Sequence, residues 1–415
     1  MANTHTASLR IDGERLWARL MAMAQIGATD QGGCNRQALT DLDKAGRDLF
    51  VGWCIEAGCT VSVDRMGNIF ARRAGLDDSL APVLTGSHLD TQPTGGRFDG
   101  VYGVLAGLEV IQTLNDAGLC TRAPLEVAVW TNEEGARFSP AMIGSGVWAG
   151  AFDLAYGHGR ADRQGLTLGT ELQRIGYLGE LPAQARPLAA AFEVHIEQGP
   201  ILEAEHLTVG VVTGVQGIRW YDLTLTGQPV HAGPTPMTVR RDPFMGLAAI
   251  LARLYRLAEE HGPWARVTFG DIRVEPGSRN TVPERLVLAV DLRHPEQAVL
   301  DRLDAAFRAI VAEETRRLRL EADIREEWHS PAVAFDADCV AAVQDAVAQL
   351  GYSHMPMCSG AGHDSVYLAR VAPTSMIFVP CKGGISHNEA EDAAPADLEA
   401  GANVLLHAML RMAHS

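Results

Sequence analysis

No stretch of this chain reaches the roughly 18 consecutive apolar residues that a membrane-spanning helix needs. Its start, MANTHTASLRIDGERLWARL, lacks a basic segment followed by an apolar one, so neither insertion nor export is expected. Cysteine is sparse and unpatterned: seven residues, at 34, 54, 59, 120, 339, 358 and 381, with no CxxC spacing. An odd, scattered set argues against a disulfide framework or a thiolate metal cage and suits reduced thiols in a cytoplasm. Positive charge is also short, with 35 Lys and Arg against 51 Asp and Glu and a formal charge of −16. A surface of that sign repels phosphate backbones and anionic lipids, which excludes nucleic acid and membranes as expected partners. Repeats and low-complexity tracts are absent as well.

What remains is a folded, globular composition: 415 residues, 47% hydrophobic and 21% charged. That length is long for a single core, so two domains are expected. Val83 to Leu89, Leu125 to Thr131 and Ala190 to Ile196 are continuous apolar runs short enough for strands buried on both faces. Between the first two, Val101 to Leu114 carries Val104, Leu108 and Ile111 at helical spacing after a Gly-rich turn. These patterns predict an α/β domain on a central mixed, mainly parallel sheet. After about Gly210 the strands alternate instead, and Asp242 to His261 and Glu296 to Leu320 read as amphipathic helices, with strands near Ala265 to Val274 and Leu286 to Leu292. A helix from Asp336 to Leu350, a strand from Ser375 to Pro380 and a helix from Pro395 to Met412 then return to the first style. The expected layout is a catalytic α/β domain over residues 1–211 and 329–415, interrupted by a smaller α+β domain over residues 212–328.

The candidate chemistry sits where a parallel sheet exposes its working edge, outside the carboxyl ends of strands. Those ends read GSHLD (86–90), TNEE (131–134) and HIEQG (195–199), with RFDG (97–100) and SHNEAE (386–391) in addition. A lone strand-end histidine, His88, His195 or His387, reads as a hydrogen-bonded structural residue, and Glu133 with Glu134 as a solvated strand end. Five such clusters, each beside glycine, read differently together: imidazole and carboxylate are ligands that zinc, cobalt and manganese accept. Asp90 lies two residues from His88, so on extended backbone its carboxylate would share a face with the imidazole and orient it. Glu133 and Glu134 project differently, so one can bind a metal while the other faces the water to be activated.

GSHLDTQPTGGRFDGVYGVLAGLEV, TNEEGARF, HIEQGP, GQPVHAGPTPM, GSRNTVPERLVLAVDLRH, SGAGHDS and MIFVPCKGGISHNEAE, in this order, resemble the hydantoinase/carbamoylase branch of the two-zinc amidohydrolases with an aminopeptidase-like fold. The resemblance runs from about residue 10 to the C-terminus, and no departure from the metal-ligand pattern is visible. It implies that His88 and His195 bind one divalent ion and Glu134 and His387 a second. Asp99 would bridge the two ions and Glu133 act as general base; zinc is expected, with manganese, cobalt or nickel as substitutes. It further implies that the inserted domain is a lid through which a homodimer forms. On that lid His231 would stabilise the developing oxyanion, while Asn280 and Arg293 grip the substrate carboxylate. Gln198 would contact the substrate from the catalytic domain, and Gly360 and Gly362 would let backbone amides approach it, with His363 and Asp364 in less direct roles.

The implied reaction is hydrolysis of the ureido group of a small carboxylic acid, an N-carbamoyl-L-amino acid or N-carbamoyl-β-alanine, giving the amino acid, ammonia and carbon dioxide. Allantoate or ureidoglycolate is the alternative substrate. A peptidase or aminoacylase on the same fold is a weaker reading, because such relatives place a carboxylate where this chain has His195. A silent dimeric binding protein is weaker too, because no ligand or base is missing.

Overall fold

The computed structural model of the protein describes residues 8–414. The chain forms two compact units, one from residues 8–214 and 334–414, the other from Val215–Val333. The first unit opens with β1 (Thr60–Val63), β2 (Ile69–Arg73), β3 (Val83–His88), β4 (Leu125–Trp130), β5 (Ala190–Ile196) and β6 (Val209–Val215). The second holds β7 (Gly217–Thr226), β8 (Val230–His231), β9 (Arg266–Thr268), β10 (Ile272–Glu275), β11 (Thr281–Val282), β12 (Arg285–His294) and β13 (Glu321–Ser330). The chain returns through β14 (Val333–Ala334), β15 (His354–Ser359) and β16 (Thr374–Val379).

The first unit is built on one nine-stranded sheet, in the order β1-β2-β4-β3-β5-β16-β6-β14, with β15 also on β6. Strands β4, β3, β5 and β16 run parallel at the centre. On the flanks β1, β2 and β6 join antiparallel. The expected mixed α/β sheet is therefore present, and its parallel part is the part with unbroken apolar sequence. All four central strands are buried at every residue, as a parallel sheet covered on both faces requires. Successive residues still enter different cores: Val83, Val127 and Val129 pack with Val104, Leu108 and Ile111 of the helix Val101–Asp116. Leu84, Ala128 and Trp130 pack on the other face with Trp148 and Leu368.

The predicted change of style at 211/212 falls inside β6, because Val211 and Val212 stay paired with Ile377 and Met376. At the other end β13 carries the second sheet to Ser330, opposite Ile218, so that unit runs to Val333. Its main sheet has the order β10-β12-β7-β13, with β9 also on β12, and β8 pairs β11 separately. Helices Pro243–Glu260 and Gln297–Leu318 cover one face of that sheet. Asp242 and Glu296, read from sequence as helical, are the residues that precede these helices. Asp242 caps its helix by accepting from the Phe244 amide at 2.9 Å, a contact that stabilises by about 1 kcal/mol. Burial weighs more: Leu223, Leu254, Leu286, Leu300, Leu303 and Phe307 are completely enclosed, each contributing roughly 1.5–3 kcal/mol. Among the described residues no helix is long and apolar enough to cross a membrane.

Candidate metal centre

Parallel strands place their carboxyl ends at one edge, and that edge gathers the polar residues. His88 is the last residue of β3 and lies in register with Trp130, the last of β4, so TNEE follows directly beside it. His195 is the penultimate residue of β5, paired with Phe378 of β16. Asp99 precedes Gly100, which starts the helix Val101–Asp116. Gly100 has a φ of +68°, and a Cβ there would lie 2.3 Å from the His88 ring, so this position needs glycine on both counts.

Asp99 is the centre of the arrangement. Its Oδ1 lies 3.5 Å from His88 Nε2 and 3.1 Å from His195 Nε2. Its Oδ2 lies 3.4 Å from His387 Nε2. Glu133 Oε2 stands 3.4 Å from His88 Nε2, and Glu134 Oε2 stands 3.2 Å from His387 Nε2. Among the described residues Asp99 joins two ligand-capable triads, His88 with Asp99 and His195, and Asp99 with Glu134 and His387; a third, Glu193 with His195 and His363, shares His195, and in each the donor atoms lie within 4.8 Å of one another. The six polar residues singled out at the strand ends are thus brought together, with the two neighbouring glutamates directed to different histidines.

Backbone contacts fix the rings. His88 Nδ1 lies 2.8 Å from the Asp90 carbonyl oxygen and His195 Nδ1 lies 2.8 Å from that of Ile196. A carbonyl can only accept, so each Nδ1 carries the proton and each Nε2 faces the centre. The expectation that the Asp90 carboxylate would hold His88 is corrected here: the carbonyl does so. The strand ends at His88, so the two-residue alternation does not extend to Asp90. The Asp90 carboxylate instead accepts the amides of Glu133 and Glu134, both at 3.3 Å, and thereby shapes the turn that splits those two side chains. Three non-glycine residues of the site, Asn132, Gln198 and His387, have left-handed backbones with φ of 57°, 57° and 53°. Such conformations cost of order 1 kcal/mol or more and persist only where surrounding contacts impose them.

Electrostatics favour positive charge at the centre. Burial alone would depress His88, yet the carboxylates of Glu133 and Asp99 hold it well above its ordinary value. The Glu134 hydrogen bond lifts His387 to about 9. Asp99 is held well below the usual carboxylate range, its burial outweighed by the imidazoles of His195 and His88. Burial drives Glu133 well above its ordinary value, with the charges of Asp364, Glu134 and Asp99 adding to the effect. A divalent cation satisfies the same demand. The donor set suits one: imidazole nitrogens and carboxylate oxygens, with buried Gln198 Oε1 lacking a hydrogen-bond partner beside them.

Gln198 was expected to meet substrate; its Nε2 donates to Asp99 Oδ2 at 2.7 Å and to Ser386 Oγ at 3.2 Å. Gly360 and Gly362 lie in the turn between β15 and the short helix Ser365–Leu368. His363 packs edge-on against His195, ring centroids 4.7 Å apart, with its Nε2 at 3.0 Å from Ser359 Oγ. Beneath this layer lie Glu193, which the sequence reading did not single out, and Asp364, which it gave a less direct role. Glu193 accepts from the hydroxyls of Ser87 and Ser365, both at 2.7 Å, and Asp364 accepts from the Ser145 hydroxyl. Period-two alternation along β5 would have found Glu193, two residues before His195 on the same face.

The remaining candidates lie in the second unit, at different places. His231 is in register with Thr281, and the Ala232 amide donates to the Asn280 carbonyl at 2.9 Å. This pair is reached from the Thr226/Arg285 end of the main sheet. Arg293 pairs with Ile218 at the other end, eight residues and roughly 26 Å along β12 from Arg285. Its Nε donates to both Asp291 oxygens at 3.0 Å and its Nη2 to Asp291 Oδ2 at 2.8 Å. Residues two apart on a strand share a face, so DLR itself puts acid and guanidinium side by side.

Residues 84–411 match peptidase family M20/M25/M40, a family of metal-dependent hydrolases. Over 404 residues the chain is 50% identical to an N-carbamoyl-L-amino-acid amidohydrolase of Rhizobium meliloti, covering 97% of each. It is 33% identical to the allantoate amidohydrolase of Bacillus subtilis, covering 94% of this chain and 96% of that one. A crystal structure of an amidase of the hydantoinase/carbamoylase family from Burkholderia multivorans superposes with a TM-score of 0.95 at 59% identity, over 98% of this chain and 99% of the other. The conjunction of sheet, strand-end cluster and near full-length identity leaves one assignment: this chain belongs to peptidase family M20/M25/M40 and, within it, to the hydantoinase/carbamoylase group.

Proposed function

We propose that this protein hydrolyses the ureido group of an N-carbamoyl-L-amino acid or of N-carbamoyl-β-alanine, with allantoate or ureidoglycolate as the alternative substrate. The observation that carries the reading is Asp99, which belongs to both triads, one oxygen near His88 and the other near His387. In this reading His88 and His195 would hold one divalent cation and Glu134 and His387 the other, with Asp99 serving both. Such cations, zinc or else manganese, cobalt or nickel, would supply Lewis acidity toward the ureido carbonyl and toward water. Glu133 takes the proton of the attacking water at its carboxylate and delivers it to the departing amino nitrogen as the carbonyl carbon–nitrogen bond breaks. The carbamic acid released decomposes to ammonia and carbon dioxide. The position of Glu133 supports this role: its Oε2 stands 3.4 Å from His88 Nε2, beside the ligand-capable atoms.

The unit Val215–Val333 acts as lid and dimerisation domain. Arg293 receives the substrate carboxylate, its fork oriented by Asp291. His231 stabilises the oxyanion and Asn280 assists in binding. The separation of Arg293 from His231 and Asn280 along the second unit supports a composite site in which two copies of the chain each supply part. Asp90 acts by shaping the Glu133–Glu134 turn. Gln198, Gly360 and Gly362 border the substrate from the catalytic unit.

The test is kcat/KM of the metal-loaded enzyme on N-carbamoyl-L-methionine, N-carbamoyl-β-alanine and allantoate, beside a dipeptide and an N-acyl amino acid. Turnover of a ureido acid is expected. Turnover of the peptide or acyl substrate alone would overturn the reading.

A further inference from the structure

We propose that Glu391 is a positioning residue that sets the Asp99 carboxylate at the centre of the cluster; this rests on the reading of Asp99 as a cation ligand. Glu391 is 1% exposed, and among the described residues no ion pair neutralises it. A buried carboxylate in that condition is costly unless hydrogen bonds compensate. Its partners all come from the two segments that carry Asp99 and His387. Oε1 accepts the amides of Phe98 at 2.8 Å and Asp99 at 3.1 Å, and Oε2 lies 3.1 Å from Ser386 Oγ.

Ser386 completes the circuit, for the same hydroxyl lies 2.7 Å from Asp99 Oδ2. Asp99 is thereby held twice, at its main-chain nitrogen directly and at its carboxylate through Ser386. A hydroxyl has one hydrogen and here faces two carboxylates, so its donation ties the state of Asp99 to that of Glu391. The chain makes room for this contact. A Cβ on Gly96 would fall 2.0 Å from the Glu391 carboxyl carbon, so any side chain there displaces the clamp. On the other side the segment turns back on itself, with the Glu391 amide donating to the Asn388 carbonyl at 3.0 Å and the Ala390 amide to Asn388 Oδ1 at 2.9 Å. A residue that only filled this space would not need two acceptor oxygens aimed at both ligand-bearing segments.

The experiment measures affinity for Zn²⁺ and for Mn²⁺, each alone, by competition with a chromophoric chelator, in the full-length wild type, Glu391→Gln and Ser386→Ala. Melting of the metal-free proteins is followed in parallel. Glu391→Gln keeps the volume and one acceptor, and is expected to weaken cation affinity about 10–100-fold, the range for partners of metal ligands, with the metal-free melting temperature retained. Ser386→Ala is expected to weaken affinity in the same direction. Wild-type affinity in Glu391→Gln overturns the proposal while leaving Asp99 as a ligand. If Glu391→Gln does not fold, Ser386→Ala decides: weakened affinity supports the clamp, and unchanged affinity overturns it. A wild type that binds neither cation brings down the metal reading, and this proposal with it.

Discussion

Glu133 and Glu134 are neighbours in sequence and diverge in space, one against His88 and the other against His387. This divergence allows one pair of identical side chains to take two roles, and it yields a sharp test. Glu133→Gln keeps the shape of the side chain and removes its basicity, so turnover should fall by about 10²–10⁴-fold while the protein retains its bound metal, measured by elemental analysis. Loss of both ions would show instead that Glu133 is a ligand. Much of this residue-scale picture was legible: every residue of the central cluster lies in a motif whose residue types suit a divalent cation. Asp90 was misread because the two-residue alternation was extended past the end of β3, where the chain turns and the carbonyl takes the position next to the ring. Arg293, which the resemblance assigns to the substrate carboxylate, shares a face with Asp291, two residues before it on β12, and the two side chains pair. Glu391 and Ser386 were within a quoted motif and drew no notice, because a carboxylate that serves backbone amides has no spacing signature.

At the scale of elements, the two helices of the second unit are joined by a charge contact that the sequence did not announce. Arg253 on Pro243–Glu260 lies 2.9 Å from Glu314 on Gln297–Leu318, and Arg317 lies 2.7 Å from the other Glu314 oxygen. Arg317 and Arg253 together hold the Glu314 carboxyl below its ordinary 4.5. A depressed folded-state value means that the stabilisation is present above pH 4.5 and lost as pH falls through the folded value. The arginines are 31% and 58% exposed, so solvent screening limits the effect. Glu314→Gln should cost about 0.5–1 kcal/mol at pH 7, read as a lower urea midpoint, and the difference from wild type should shrink as pH falls below 4.5 and vanish below the lowered folded value. A difference that persists there would assign the effect to packing. Helices and strands themselves were read to within a residue or two of their ends where periodicity was strong, as in Ala190–Ile196. The ends of the long helices moved because Asp242, Glu296 and Asp336 precede their helices instead of joining them.

For the whole molecule, the second unit holds Arg293 and the His231–Asn280 pair toward opposite ends of one sheet. A small ureido acid cannot span roughly 26 Å of strand, so on the proposed roles one site takes Arg293 from one chain and His231 from another. Arg293→Ala and His231→Ala should each be inactive alone, and mixed subunits should recover about a quarter of wild-type activity, since half the dimers are mixed and each has one intact site of two. No recovery on mixing would mean that both residues act within one chain. The amino-acid sequence by itself determined the α/β class, the interruption by a second unit and the polar strand ends, because burial and periodicity are local properties of a chain. Only the tertiary structure decided which oxygen of Asp99 faces which histidine, that a carbonyl and not a carboxylate orients His88, and that Glu391 clamps two segments 292 residues apart. These depend on where strands end and loops meet in space, which no local pattern encodes.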